Sequence, residues 1–232
     1  MKETIRRTFR TFGVDVRPAR HAKDLMDFVK DREIDTVLDV GANIGQFGAS
    51  LRVKGYRGKI ISFEPVQSVF RALSARAEPD GNWQVHNYAL GAEPGEATIN
   101  VAELSVFSSI LSATSAAAEF DSRAVTARTE VIPVRTLDEV VPSISGSVLL
   151  KIDTQGYERQ VLCGGRQILK SLKGILMELP IVQLYQGNWS FHEAVEFMST
   201  VGFIPAQIHP VNYGAVDKVS LVEVDCLFRP RD

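Results

Sequence analysis

Asp39, Gly41, Asn43 and Gly45 stand at alternate positions in VLDVGANIGQF, Val37 to Phe47. An apolar run that ends in an acid and two glycines suits a turn whose backbone must come close to a ligand. A dinucleotide turn would carry glycine at Asn43 and again at Gln46, so that a pyrophosphate could approach the main chain. Asn43 brings a Cβ and an amide instead, and Asp39 would repel a pyrophosphate at short range. A ligand with a cationic amino-acid end and no phosphate fits better. S-adenosylmethionine is such a ligand, with its ammonium, carboxylate, sulfonium and adenosine. Glu64 follows 25 residues after Asp39, where a carboxylate can accept from both ribose hydroxyls. Nicotinamide dinucleotide enzymes use an acid in the same way, so Glu64 alone does not choose between the two ligands. Asn87, Ala89 and Leu90, in NYALG, could flank an adenine or form an ordinary strand-end turn.

A second group of polar residues lies at expected strand ends: Asp153, Glu178, His209 and Asp225. Asp153 could accept the proton of an acceptor hydroxyl. It could instead join Glu178 and Asp225 as oxygen ligands of Mg²⁺, which usually takes only one or two carboxylates, or cap the helix that follows. Glu178, inside LMELP, is costly to bury unless it is paired or functional. His209 could serve as a base near neutral pH or be a plain loop residue. Tyr185 and Trp189 could stack on a sugar ring or simply pack.

These residues need a scaffold, and the chain alternates strand and helix patterns, as a doubly wound parallel sheet requires. Strands are expected at Asp35–Val40, Lys59–Phe63, Trp83–Tyr88, Ser147–Ile152 and Gly174–Leu179. Helices are expected over Gln46–Lys54, after Pro65 at a first helical position, and over Gln155–Cys163. Thr136–Glu139 and Ser190–Glu193 read as capping boxes. Phe203–His209 and Ser220–Phe228 have only a short Gly-containing link between them, so the sheet should end in an antiparallel hairpin. GEATINV and TEVIPV look like extra strands. The Ser/Ala-rich stretch between them reads as a mobile cover over the acceptor.

In this order of motifs the sequence resembles the FkbM family of S-adenosylmethionine-dependent methyltransferases over about residues 34–229. The resemblance rests on VLDVGANIGQF, FEP, ALG, SSI, RTLDEV, LLKIDTQGYERQVLCGG, MEL, LYQG, GF and DCLF. It implies a Rossmann-like class I methyltransferase domain with a mostly parallel seven-stranded sheet. It also implies O-methylation of a sugar, glycolipid or polyketide-type hydroxyl, with Phe63, Glu64 and Pro65 of FEP in the cofactor site. Family members usually carry Glu where this chain has Gln155, which weakens any role for an acid at 155 and leaves Asp153 and Glu158 as the surviving carboxylates of that motif. That departure keeps open a methyltransferase-like module that binds the cofactor without turnover. An NAD-dependent oxidoreductase is the weaker alternative.

Composition agrees with one α/β domain: 232 residues, 45% hydrophobic and 23% charged. A net charge of −2 is unlike a protein built for nucleic-acid phosphates. The charge is uneven, because residues 1–32 hold nine Lys/Arg against five Asp/Glu. This basic N-terminal extension places Ile5, Phe9 and Phe12 at helical spacing, as a cap on the domain over 33–232 or as a helix in peripheral contact with an anionic membrane. Cys163 and Cys226 have no metal-type spacing and read as buried thiols of a cytoplasmic protein.

Overall fold

The computed structural model describes residues 23–141, 146–215 and 217–231. The basic helix expected around Ile5–Phe12 lies outside them. Its described continuation, α1 (Leu25–Asp31), is closed by a capping box in which Asp24 and Asp27 bond each other's backbone N–H. Met26, Phe28 and Val29 of α1 are buried with Ile34, Tyr56 and Leu149, so this end of the extension belongs to the domain core.

Ten strands follow. β1 (Thr36–Val40), β2 (Lys59–Phe63) and β3 (Trp83–His86) are joined by α2 (Gln46–Val53) and α3 (Gln67–Ala77). β4 (Ala89–Leu90), β5 (Gly95–Ala102), α4 (Ser115–Phe120), β6 (Thr126–Arg135) and α5 (Leu137–Val140) come next. β7 (Val148–Ile152), α6 (Glu158–Cys163), β8 (Leu172–Pro180), α7 (Phe191–Thr200), β9 (Phe203–Tyr213) and β10 (Leu221–Pro230) complete the chain. The main sheet has seven strands in the order β3-β2-β1-β7-β8-β10-β9. β3, β2, β1, β7 and β8 run parallel, whereas β10 is antiparallel to both of its neighbours. The strand order reverses between β1 and β7, and in an open α/β sheet ligands bind beyond the strand ends at that reversal.

The core follows from composition. Every residue of β7 is buried, as expected of a parallel strand covered on both faces. One apolar cluster gathers Leu38, Leu150, Met177 and Phe228, and a second on the opposite face gathers Val37, Ile60, Leu149 and Leu227. Removing a large aliphatic side chain of this kind from water contributes roughly 1.5–3 kcal/mol.

Several expected boundaries move, for local reasons. The expected strand Trp83–Tyr88 breaks after His86, because the Asn87 side-chain amide donates to the Glu64 and Pro65 carbonyls, both at 2.9 Å. Ala89–Leu90 then joins the small sheet β4-β6-β5, where GEATINV and TEVIPV also pair. Pro65 is not the first helical residue, since the cap is Val66 and α3 begins at Gln67. α6 begins at Glu158, not Gln155, because Gln155 and Gly156 adopt positive φ. Ser190 and Glu193 form the expected reciprocal box. At Thr136 only the side-chain bond to the Glu139 N–H, 3.2 Å, is formed. Both cysteines are free thiols, Cys226 buried but Cys163 only half-buried. Among the described residues no helix is long and apolar enough to cross a membrane.

Candidate active site

The β1–β7 seam explains the residues of the first turn. Gly41 has φ +74°, and a Cβ there would collide with the Asp153 carbonyl, so only glycine lets the turn close over the end of β7. The Gly41 and Ala42 N–H groups both donate to the Phe63 carbonyl at 3.0 Å. Asn43, at φ +48°, donates its backbone N–H to Glu64 Oε2 at 2.9 Å and its side-chain amide to Ser105 Oγ at 3.1 Å. Val66 N–H donates to the other Glu64 oxygen, Oε1, at 2.9 Å. Glu64 is buried, and burial pushes its carboxyl up to about 7 despite those two donors. Gly45 faces inward against Leu73 and Trp83 and caps α2.

Asp39 lies beneath this floor rather than in the ligand space, with no exposed surface. Parallel register sets it beside Lys151. Lys151 Nζ is 3.1 Å from Asp39 Oδ1, 3.1 Å from the Gly41 carbonyl and 3.5 Å from Asp153 Oδ2. Ser62 Oγ donates to the second Asp39 oxygen at 3.2 Å and accepts from the Trp83 indole N–H at 3.0 Å. Burial alone would lower the Lys151 pKa, but the carboxylates of Asp39 and Asp153 outweigh it and hold the ammonium above its ordinary range.

Above the turn a cavity of about 420 Å³ opens. Asn43, Glu64, Pro65, Tyr88 and Leu90 line one end, and Asp153, Glu178, Glu223 and Asp225 line the other. Phe63 and Ala89 belong to the first end, whereas Asn87 does not reach the cavity and instead pins the β2 turn. The four acids come from the end of β7, from β8 and from β10, where Asp225 pairs with Glu178. Burial, reinforced by the Asp153 charge, pushes Glu178 well above the usual carboxylate range. Burial likewise raises Glu223, although Asn212 donates to its Oε2 at 2.8 Å. Asp225 is pushed up to about 6, first by burial and then by Asp153.

Gln155 sits between the acids. Its amide Nε2 is 2.8 Å from Asp153 Oδ1 and 3.1 Å from Glu178 Oε1. The expected Mg²⁺ set of Asp153, Glu178 and Asp225 is therefore not formed. A donor amide occupies the space between two of its members, and among the described residues no group of three His, Cys, Asp or Glu is placed to hold a metal ion. His209 stays outside the cavity. It pairs with Asp225 across β9 and β10, and its ring Nε2 is 3.2 Å from Gln207 Oε1.

The Ser/Ala-rich stretch is a structured cover. Ser105–Phe107 and Ser122–Ala124 form 3₁₀ turns on either side of α4. Ser109 Oγ donates to the Gln155 carbonyl at 2.7 Å, and Ala113 bridges to Tyr185. Tyr185 is buried under this cover, and Trp189 packs edge-on against Phe197, so neither ring is presented to a sugar.

Lys151, Glu223 and Asn212 were missed by sequence reasoning. Lys151 had a signal, a charge at the centre of the apolar run LLKID. Glu223 had one too, because it shares a strand face with Asp225 two residues on.

The strand order, the ligand turn after β1 and the antiparallel β10 within a parallel sheet define a Rossmann-like methyltransferase fold. The sequence model of the Methyltransferase FkbM domain matches residues 39–205. The chain belongs to the FkbM methyltransferase family. Among solved structures it is similar to an rRNA methylase from Streptococcus thermophilus, at 11% identity and TM-score 0.45, covering 89% of this chain and 93% of that one. It is similar at 13% identity and TM-score 0.46 to the O-methyltransferase NcsB1 of neocarzinostatin biosynthesis, in complex with S-adenosyl-L-homocysteine, covering 86% of this chain and 50% of that one. The complex of LepI with S-adenosylmethionine matches at 12% identity and TM-score 0.48, over 96% of this chain and 52% of that one. The chain thus spans about half the length of NcsB1 and LepI. No curated protein matches it.

Proposed function

We propose that the protein is an S-adenosylmethionine-dependent O-methyltransferase acting on a hydroxyl of a sugar, glycolipid or polyketide-type molecule. The observation that carries this reading is the continuity of one cavity, from the turn after β1 to the wall of acids on β7, β8 and β10. The donor end fits the cofactor. Glu64 keeps lone pairs for the ribose hydroxyls, the turn at Gly41–Asn43 leaves backbone close to the amino-acid end, and Pro65, Tyr88 and Leu90 offer an apolar slot to the adenine. S-adenosylmethionine supplies, when bound, an electrophilic methyl group on a sulfonium sulfur.

The acid wall does the rest. Asp153 would accept the proton of the acceptor hydroxyl and hold that oxygen toward the donor end of the cavity. Glu178, held protonated by burial, donates to the acceptor and orients it. Positioning of this kind and one proton route are what an in-line displacement requires. No step runs through Mg²⁺. The acceptor is a small molecule or a glycolipid, with no role for nucleic acid, and cytoplasmic placement with peripheral membrane contact suits a lipid-linked one.

The test is transfer of labelled methyl from S-adenosylmethionine to octyl glycosides, a glycolipid extract and a macrolide aglycone, with and without EDTA. Label in an alkali-stable ether, unaffected by EDTA, is expected. Cofactor binding by calorimetry without transfer to any alcohol would leave a binding module, and binding of NADH instead would sink the reading altogether.

A further inference from the structure

The acid wall has one feature that charge alone does not explain. Its acids outnumber the ammonium groups that line the cavity among the described residues, where Lys151 stands alone, yet two of them point at the same neutral group. Gln155 has two amide hydrogens, and Asp153 Oδ1 at 2.8 Å and Glu178 Oε1 at 3.1 Å lie where one each can be received. Its own Oε1 lies 2.8 Å from the Tyr185 hydroxyl, which donates to it. The reverse placement of the amide would set its oxygen against the Asp153 carboxylate, so the network fixes the orientation. Burial holds Tyr185 as a neutral phenol, so that donor is constant.

The backbone of Gln155 is used as well. The residue stands at φ +55°, in the left-handed region, at the turn that carries β7 into α6. That conformation aims its carbonyl at Ser109, whose Oγ donates to it at 2.7 Å, and Ser109 is itself paired with Asn100 of β5. The Tyr185 hydroxyl also lies 3.2 Å from the Phe107 carbonyl. One residue therefore touches both acids of the acceptor end and, directly or through Tyr185, two points of the cover.

We propose that Gln155 is the positioning residue of the acceptor site: its neutral amide sets the geometry of Asp153 and Glu178, and its contacts to Ser109 and Tyr185 tie that geometry to the cover. This rests on the reading of Asp153 as proton acceptor. A neutral double donor holds two carboxyls in register without a cation between them. A residue that accepts instead of donating would turn Asp153 away, and a shorter amide would reach only one of the two acids.

Three variants test this, with octyl glycosides as acceptor probe and side-chain carboxyl titration by ¹³C NMR as a readout that needs no acceptor. Gln155→Glu keeps length and replaces two donors by a charge. It is expected to lower turnover by about 10²-fold, the cost of misplacing a reacting group by about an ångström. It should also raise the Glu178 titration midpoint, which burial already holds high, since it removes a donor and adds a like charge. Affinity for S-adenosylhomocysteine should stay at the wild-type value. Gln155→Asn, which tolerates the left-handed backbone, should lose turnover while the pH profile stays in place. Asp153→Asn checks the underlying reading. If Asp153→Asn turns over like wild type, the base reading fails, and the Gln155→Glu titration still decides whether Gln155 sets the acids. If the turnover and the Glu178 midpoint of Gln155→Glu match wild type, Gln155 is only a structural turn residue and the proposal is overturned.

Discussion

The two ends of the cavity are built by opposite means. The donor end is nearly all backbone and nearly all local: two N–H groups of the first turn close on Phe63, and two more close on the Glu64 carboxylate. Its shape is set by main-chain conformation and changes little with charge. The acceptor end is side chains from β7, β8 and β10, with a cover resting on them. Glu178, Glu223 and Asp225 are raised by burial and by the acids beside them. A backbone site serves one constant ligand, whereas a site of titratable side chains can be retuned by single substitutions.

Lys151 is where the ends are joined, so it should give the largest effect. Lys151→Met leaves Asp39 fully buried with only the Ser62 hydroxyl beside it. Breaking a buried pair in this way costs about 3–5 kcal/mol. Urea denaturation should show that loss, and Asp39→Asn combined with Lys151→Met should recover much of it. Wild-type stability in Lys151→Met would mean that donor and acceptor ends are not welded at this point.

Asp153→Asn comes next, and it sharpens the contrast because it should act on one end only. The asparagine keeps an oxygen for the Gln155 amide but cannot take a proton. Methyl transfer should fall about 10²-fold or more, the lower range of acid–base contributions. Calorimetry should find cofactor affinity unchanged. A loss of affinity equal to the loss of turnover would show that Asp153 serves the donor end.

The same contrast decides what the sequence could reveal. Seven strands, their mostly parallel order and the closing hairpin were legible, because alternating patterns and short links constrain topology strongly. Gly41, Asn43 and Glu64 lie within one βαβ unit, so the sequence could show that they meet at one turn, and they line one cavity. The acceptor end was legible only in part. Asp153, Glu178 and Asp225 stood out as acids at strand ends, but their pairing across β8 and β10 is a matter of register between distant segments. Asp39 looked like an acid facing the ligand because its partner, Lys151, is more than a hundred residues away. The amide of Gln155 filled the space assigned to Mg²⁺, and nothing local to TQGYE announces the carboxyls it would meet. His209, expected as a base or a plain loop residue, pairs with Asp225 across the hairpin and lies outside the cavity.

Glu64→Ala tests the donor end by itself. It leaves two ribose hydroxyls and two backbone donors without their acceptor, so cofactor binding should weaken by roughly 1–3 kcal/mol. Turnover at saturating cofactor should stay near wild type, the mirror image of Asp153→Asn. Wild-type affinity in a folded Glu64→Ala protein would remove Glu64 from the ribose site.

The smallest effect is expected at Ser109, where the cover meets the acceptor end. Ser109 is buried, and its hydroxyl both donates to the Gln155 carbonyl at 2.7 Å and accepts from the Leu111 N–H at 3.0 Å. The cover also holds through backbone bonds from Thr114 to Leu184 and from Gln186 to Ser112, both 2.8 Å, which Ser109→Ala leaves intact. The substitution therefore removes two neutral side-chain bonds, each worth about 0.5 kcal/mol at the low end of the usual range and together about 1 kcal/mol. If the cover opens as a unit against the 181–189 loop, that loss converts to about 5-fold faster hydrogen exchange at its amides, and the acceptor KM rises by a similar factor. Amides of β1 and β7 should be unaffected, because their exchange reports the sheet and not the cover. Cofactor affinity should not move, since Asn43 still reaches Ser105. Uniform exchange across cover and sheet, with an unchanged KM, would mean that the cover is a fixed wall of the acceptor end, and the flexibility expected from its serine and alanine content would be absent.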